Sequence, residues 1–224
     1  MWTRSLLKAN AKRALSAKWG SAIAVCLIAA LCAGLSSSLL TRLTESNFIT
    51  VIGSFLLTVL LNAFLDNIIE IGLCRYMMEN RLGHPPISTL FSGYQTELKN
   101  LFTVRFLVTL KIDLGFLLVI PGIYWSYKYA MVSYLLAENP SLSYQRATEL
   151  SGQMMEGEKL RLFVLQLSFF GWWLLSLLTA GLLFVFYVTP YMQATMAEFY
   201  AAMRAKAFSM GITDESELGG FYTY

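Results

Sequence analysis

Two long apolar runs joined at a Pro-Gly pair constrain this chain more than any other feature. Between residues 116 and 140 the sequence FLLVIPGIYWSYKYAMVSYLLAENP reaches Pro121-Gly122 and continues as a second apolar run that is rich in tyrosine. Proline interrupts helical hydrogen bonding, and glycine tolerates the left-handed conformation that a tight reversal needs. We therefore predict a helical hairpin that turns at Pro121 and Gly122, and another that turns at Ala180 and Gly181.

The composition indicates that these hairpins lie in lipid. Of the 224 residues 56% are hydrophobic and only 14% are charged, and the mean hydropathy is +0.55. A soluble domain has about 25% charged residues. Several apolar runs approach the roughly 20 residues with which a helix crosses a bilayer. No segment alternates with a period of two, so we predict an all-α fold: a polytopic transmembrane helix bundle.

The pattern divides the chain into one membrane domain, residues 1–206, and a flexible acidic tail, residues 207–224. Residues 1–18 are predicted to form a basic interfacial helix, whose positive residues are Arg4, Lys8, Lys12, Arg13 and Lys18. A cleaved signal peptide is the rival interpretation, and the long basic region without a clear cleavage site favours an uncleaved helix. About six spans follow, at residues 20–40, 48–73, 101–120, 123–137, 160–179 and 182–203.

Polar segments separate the predicted spans. The stretch at residues 87–98 and the amphipathic stretch at residues 143–155 are predicted to be further interfacial helices, and Ser141 or Ser143 is placed to cap the second of them. With the N-terminus inside, 13 of the 17 basic residues fall on the inner side and Arg42 alone on the outer side. This bias predicts that both termini are cytoplasmic.

The sequence also contains an internal repeat at an offset of 59 residues. Ser92-Gly93 recurs as Ser151-Gly152, and the turn at Pro121 recurs at Ala180. Each predicted unit is an interfacial helix followed by a hairpin. Repeats of this kind occur in transporters and in proteins that grew by duplication, so both interpretations stay open.

Seven polar or charged residues of the predicted spans form a candidate intramembrane cluster: Asn62, Asp66, Glu70, Arg105, Lys111, Asp113 and Lys128. Charges in lipid are costly and therefore suggest a function. A rise of about 1.5 Å per residue places Asp113 and Lys128 at matching depths on the two arms of the first hairpin, where they could pair. We favour structural pairing that locks the bundle, and we keep a solute or ion path as the alternative.

Other chemistry has little support in the sequence. Three scattered cysteines give no disulfide framework, and a single histidine makes a histidine-based metal site unexpected. No phosphate-binding loop, dinucleotide fingerprint or nucleophile elbow occurs. We predict no enzymatic activity, no metal, no cofactor and no nucleic-acid partner. The expected partner is the lipid bilayer, through anionic lipids at the cytoplasmic face.

Several motifs resemble a known family. They are the basic start at Leu6-Leu7-Lys8, Ile120-Pro121-Gly122-Ile123, residues 134–140 (YLLAENP), residues 165–172 (LQLSFFGW) and residues 197–200 (AEFY). The pattern resembles a bacterial family of integral-membrane proteins of unknown function, domain of unknown function 975, over nearly the whole chain except the acidic tail. The resemblance implies a multi-pass protein of the bacterial cytoplasmic membrane, and it brings no activity or catalytic residues.

These observations lead to one expectation and one alternative. The expected function is that of a non-enzymatic membrane protein that organises or supports components of the cell envelope. The alternative is a small-solute or ion transporter or channel that uses the charged residues of the spans.

Overall fold

The structure, a computed structural model, describes residues 2–43, 53 and 62–219, and every regular element in them is helical. The α-helices are α1 (Arg4–Leu15), α2 (Trp19–Leu43), α3 (Asn67–Leu82), α4 (Leu98–Phe116), α5 (Ile120–Lys128), α6 (Val132–Glu138), α7 (Tyr144–Met154), α8 (Lys159–Leu167), α9 (Phe170–Leu178) and α10 (Thr189–Ser209). Asn62–Asp66 and Phe184–Val188 are π-helical, and Ile87–Tyr94 is a 3-10 helix. The prediction of an all-α fold is confirmed. Half of the predicted span at 48–73 lies outside the described residues.

Helices α4 and α5 form the first hairpin, but its reversal precedes the predicted turn. Helix α4 ends at Phe116, and Val119 takes the left-handed conformation with φ 58°. Pro121 lies in the first turn of α5, where a missing N–H does no harm. Gly122 serves close packing, because a Cβ there would lie 2.6 Å from the backbone nitrogen of Phe116.

The second hairpin joins α9 to the π-helical segment that leads into α10. Ala180 and Gly181 both have positive φ, 49° and 83°. The N–H of Gly181 donates to the carbonyl of Ser176 at 2.9 Å, the bond that closes a helix through a left-handed residue. This reversal lies at the residues where the sequence predicts it.

Few helices are long and apolar enough to cross a membrane. Among the described residues one helical stretch meets that description, Lys159–Leu178, which comprises α8 and α9. A second is found if Arg4–Leu15 and Trp19–Gly34, which are bent by 100° to each other, are counted as one span. The predicted span at 123–137 is divided, since α5 ends at Lys128 and α6 begins at Val132. Six spans and the internal repeat therefore remain predictions.

The core and the exposed apolar surface lie in different parts of the chain. Helices α3, α6, α7 and α10 supply most fully buried side chains, among them Tyr76, Leu135, Leu150 and Phe199. The hairpin ends are apolar and exposed, and Leu178 is 81% exposed. Ser143 caps α7 by accepting a hydrogen bond from the N–H of Arg146 at 3.3 Å, which confirms one of the two predicted caps.

Residues 210–219 differ from the flexible tail that the composition predicts from residue 207 onward. Helix α10 continues to Ser209, and the segment after it folds back onto the bundle. Leu218 is fully buried, and its carbonyl accepts a hydrogen bond from the guanidinium of Arg204. Asn139 donates to the carbonyl of Glu217 at 2.9 Å. Specific partners on α10 and at the end of α6 thus fix a segment whose composition is that of a loop.

Candidate functional site

A polar cluster joins helices α3, α4 and α6 around Glu70. The guanidinium of Arg105 donates to Glu70 Oε2 at 2.6 Å and to Asn67 Oδ1 at 3.0 Å. Ser133 Oγ donates to Glu70 Oε1 at 2.8 Å, and Thr109 Oγ1 lies 3.3 Å from Asn67 Oδ1. Asn67 and Glu70 are three residues apart, and Arg105 and Thr109 four, so each pair shares one helix face. The cluster therefore ties three helices together.

Burial within this cluster is uneven. The Arg105 side chain is 10% exposed and the Glu70 side chain 48%. Arg105 Nε is buried and has no hydrogen-bond partner among the described residues. An unsatisfied buried donor costs free energy, so this N–H is available to an acceptor. The arrangement can fix helix positions and can offer one carboxylate to a polar ligand.

The remaining members of the predicted intramembrane cluster lie elsewhere. The ammonium of Lys111 lies 5.4 Å from the ring centre of Trp125 and 5.3 Å from that of Tyr129, and the ammonium of Lys128 lies 5.6 Å from Tyr129. Asp113 is exposed, and within the described chain it forms no ion pair with Lys128. The two lysines thus make cation–π contacts with the ring of Trp125 in α5 and with that of Tyr129, the residue that follows α5.

The last two residues of the predicted cluster, Asn62 and Asp66, lie at the π-helical turn before α3. Asp66 is half-buried and ends the π-helical turn before α3. Asn62 begins that turn, and its side chain lies outside the described residues. Of the seven predicted residues the structure therefore brings Glu70 and Arg105 together, and it adds Asn67, Thr109 and Ser133. Asn67 directly follows Asp66 in the sequence, whereas nothing in the sequence singles out Ser133.

A second ion pair, which the sequence does not indicate, lies deeper than the first. Arg204 Nε donates to Glu138 Oε1 at 2.9 Å, and the hydroxyl of Tyr200 donates to Glu138 Oε2 at 2.6 Å. The Glu138 and Arg204 side chains are 0% and 3% exposed. Tyr200 also stacks on Tyr134, with ring centres 5.1 Å apart. Helices α6 and α10 are joined by a charge pair that is fully removed from solvent.

The tail, residues 210–219, contributes to a third ion pair, which lies at the surface. Arg146 donates to both carboxylate oxygens of Glu217, at 2.6 and 2.8 Å, and Thr213 donates to Glu217 at 2.8 Å. The hydrogen bonds from Arg146 hold the pKa of the Glu217 carboxyl below its usual range, and the same contact raises the pKa of Arg146. The charged forms of both residues therefore stabilise the docked tail.

The basic helix α1 packs its apolar face against protein. Leu7, Ala11 and Leu15 are buried among the core residues. Among the basic residues, Lys8 donates to the carbonyl of Ser168 at 3.0 Å, and its ammonium lies 4.0 Å from the ring centre of Phe169. Burial, followed by the charges of Arg4 and Lys12, lowers the pKa of Lys8. The helix is thus fastened to the junction of α8 and α9.

The other basic residues within residues 1–18 divide into those that contact the protein and those that do not. The ammonium of Lys18 donates to the carbonyls of Asn80 and Gly83 at 2.7 and 2.6 Å, where α3 ends, and that of Lys12 lies 5.4 Å from the ring centre of Tyr191. Arg4 and Arg13 are exposed, and neither side chain has a hydrogen bond or ion pair to another described residue. These two guanidinium groups are the ones left for a partner outside the chain.

Metal ligands are not grouped in the described chain. Residues 2–43, 53 and 62–219 contain no group of three histidine, cysteine, aspartate or glutamate side chains that could hold an ion. Cys26, Cys32 and Cys74 form no disulfide bond with one another; Cys26 and Cys74 are buried and Cys32 is half-buried.

Comparison with known proteins identifies one relationship. A family described as "Protein of unknown function (DUF975)" matches residues 87–207, a little more than half of the chain. The match runs from the 3-10 helix into the last helix, so it includes Arg105, Ser133, Glu138 and Arg204. No curated protein and no solved structure gives a significant match to the chain.

Proposed function

The chain belongs to the family of proteins of unknown function DUF975, and from its structure we propose a non-enzymatic, multi-pass integral membrane protein whose inner face binds anionic lipids and so organises or supports envelope components. The observation that carries the proposal is the basic helix α1. Its apolar residues are used inside the protein, and the exposed Arg4 and Arg13 remain for a partner. An acid-free helix with two free guanidinium groups is attracted to an anionic leaflet.

Membrane insertion is supported by the apolar hairpin ends. Leu117, Leu118 and Ile120 at the end of the first hairpin and Leu177 and Leu178 at the end of the second are among the most exposed side chains. Contiguous apolar surface of this kind is rare on proteins in water and normal in lipid. The long helix Lys159–Leu178, only 22% of whose most apolar window is buried, is consistent with a span that faces acyl chains.

A supporting rather than catalytic role agrees with the contacts of the two carboxylates Glu138 and Glu70. Glu138 accepts bonds from Arg204 and Tyr200, and Glu70 accepts bonds from Arg105 and Ser133. A carboxylate held by two donors from other elements is fixed in position and anchors the helices that carry those donors. The described charges therefore favour stiffness of the bundle.

Thiol labelling tests the membrane part of the proposal. With Cys26, Cys32 and Cys74 replaced by alanine, a single cysteine at Leu117 should react with an impermeant reagent in intact cells. A cysteine at His84 should react only after the membrane is opened. Reaction of both positions in intact cells would contradict the proposed orientation, and release of the protein by alkaline extraction would contradict membrane integration.

A growth experiment tests the envelope role. We expect cells that lack the protein to become more sensitive to detergent, and the wild-type chain to restore resistance. The variant Arg4→Glu/Arg13→Glu should be made in normal amount and should restore it poorly. Normal resistance of the null cells would refute a role in envelope support.

A transport function is the second candidate, and one observation favours it. The Glu70 carboxylate is 48% exposed although it is paired with a buried arginine, and Arg105 Nε still lacks an acceptor. Replacing Glu70 by cysteine tests for water at this position. Labelling of the folded variant from either side of the membrane would support a hydrated path, and protection from both sides would refute it.

A further inference from the structure

An open cleft of about 420 Å³ lies between the start of α1 and the start of α8. Its lining combines polar and apolar side chains: Trp2, Thr3, Arg4, Leu160, Arg161 and Val164. It therefore joins the basic helix to the helical stretch Lys159–Leu178, the described stretch that is long and apolar enough to cross a membrane. Its position is where a headgroup would meet an acyl chain.

One wall of the cleft is a fixed guanidinium. Arg161 donates to Glu158 Oε2 at 3.0 Å and to the carbonyl of Trp2 at 3.0 Å, and its guanidinium carbon lies 4.2 Å from the ring centre of Trp2. The indole N–H of Trp2 donates to Glu158 Oε2 at 3.2 Å. These contacts hold Arg161 in one orientation, so it does not have to be ordered when a ligand binds.

The cleft carries surplus positive charge. Glu158 is the acid beside it, and this carboxylate is shared by Arg161 and by Lys206, whose ammonium lies 3.3 Å from Glu158 Oε1. Arg4, on the opposite wall, is exposed and forms no ion pair with any described residue. Two arginines across a cleft suit a phosphate group, because guanidinium binds its oxygens in a fork.

The wall formed by α8 continues into an apolar stripe. Leu160 is 73% exposed, and Phe163, Val164 and Leu167 follow at helical spacing on the same face of α8. An inorganic anion would use the arginines and leave this stripe bare. A glycerophospholipid would use both, with its phosphate between the arginines and its acyl chain along α8.

We propose that this cleft binds one anionic glycerophospholipid, with its phosphate against Arg4 and Arg161 and an acyl chain along Leu160 and Val164. The inference rests on the proposed function and deepens it, because it assigns lipid binding to one site. Lys8 and Lys18 contact carbonyls of the protein and do not contribute to this site.

Native mass spectrometry of the full chain in detergent tests the proposal by counting bound lipids. Phosphatidylglycerol should bind as one retained molecule, and more tightly than phosphatidylcholine. The variant Arg4→Gln should weaken its binding about fivefold, the equivalent of roughly 1 kcal/mol for one basic residue near a lipid surface. The matched comparison is Arg13→Gln, which removes the same charge from the same helix outside the cleft and should weaken the binding of the retained molecule much less than Arg4→Gln does.

Two further measurements test whether the acyl chain contributes to binding and whether a free phosphate compound binds at the cleft as the lipid does. Leu160→Ser should also weaken phosphatidylglycerol binding, and it should not impair folding because this side chain is exposed. Glycerol 1-phosphate in excess should compete poorly. Full competition by glycerol phosphate would overturn the lipid assignment in favour of a headgroup site.

The possible results distinguish failure of the cleft as a lipid site from failure of the proposed function. Equal weakening by Arg4→Gln and Arg13→Gln would overturn the cleft and leave a diffuse attraction of the basic face to anionic lipids. Equal binding of phosphatidylglycerol and phosphatidylcholine by the wild-type chain would overturn both the site and the lipid part of the proposed function.

Discussion

Removing the Glu138 carboxylate should destabilise the protein more than any exposed charge change. Its partner Arg204 is 3% exposed and Glu138 itself 0%, so the variant Glu138→Ala leaves a guanidinium buried without its counter-charge. Breaking such a pair costs about 3–5 kcal/mol. The hydroxyl of Tyr200, which donates to Glu138 at 2.6 Å, also loses its acceptor. We expect the total loss in the free energy of unfolding to reach the upper part of that range.

The assay is equilibrium unfolding in mixed micelles of a mild detergent and dodecyl sulfate, followed by tryptophan fluorescence. Glu149→Gln is the matched control, because Glu149 is 59% exposed and lies 3.8 Å from Arg146, and it should change stability by at most about 0.5 kcal/mol. Combining Glu138→Ala with Arg204→Met should restore part of the loss, with a coupling of up to about 3 kcal/mol. Losses that simply add would refute the view that the two charges stabilise each other.

Three further predictions concern the tail, the first hairpin and the core. Because hydrogen bonds from α7 lower the pKa of the Glu217 carboxyl, its ionised form stabilises the docked tail. This contribution is complete above the usual glutamate pKa of about 4.3 and is lost as pH falls through the lowered pKa. The protection of the amides of residues 210–219, measured relative to the intrinsic exchange rate at each pH, should therefore decrease in acid, and in Glu217→Gln it should be reduced already at pH 7. Since Asp113 and Lys128 form no ion pair in the described structure, the stability changes of Asp113→Asn and Lys128→Gln should add within about 0.5 kcal/mol. Gly72→Ala should lower the free energy of unfolding by about 1–3 kcal/mol or more, because a Cβ there would overlap the backbone carbonyl of Leu90.

Each of these has its own control. Glu215 is exposed in the same tail, so Glu215→Gln should leave amide exchange unchanged, and an equal effect of both variants would point to tail charge rather than to the Arg146 contact. A double change of Asp113 and Lys128 that is tolerated better than either single change would show that the two side chains do pair. Gly171 has open space where a Cβ would stand, so Gly171→Ala should be tolerated, and equal losses at both glycines would contradict the packing argument.

Much of the helical architecture can be read from the sequence, because it depends on local properties. Apolar runs with helical periodicity, Pro121 in the first turn of α5, and the small residues Ala180 and Gly181 at a reversal all act within a few residues of chain. The basic character of α1 and the cap at Ser143 are local in the same sense. Each follows from covalent structure and backbone conformation, which the sequence states directly.

The pairing of charges could not be read in this way. Counting the rise along each helix places Asp113 and Lys128 at the same depth. Depth does not determine how each helix is rotated about its axis, and in the structure both lysines of the hairpin lie against aromatic rings. Glu138 and Arg204 are 66 residues apart and meet only because α6 packs against α10. Their sequence neighbourhoods carry no sign of that contact.

The sequence by itself therefore determined the helical class, the basic first helix and the reversal at Ala180 and Gly181, since these depend on composition and on conformational preferences of neighbouring residues. The tertiary structure alone decided that α1 buries its apolar face in protein, that residues 210–219 are docked, and that Arg4 and Arg161 face one cleft. The physical reason is that each of these depends on contacts between residues far apart in the chain, whose free energies no local pattern contains.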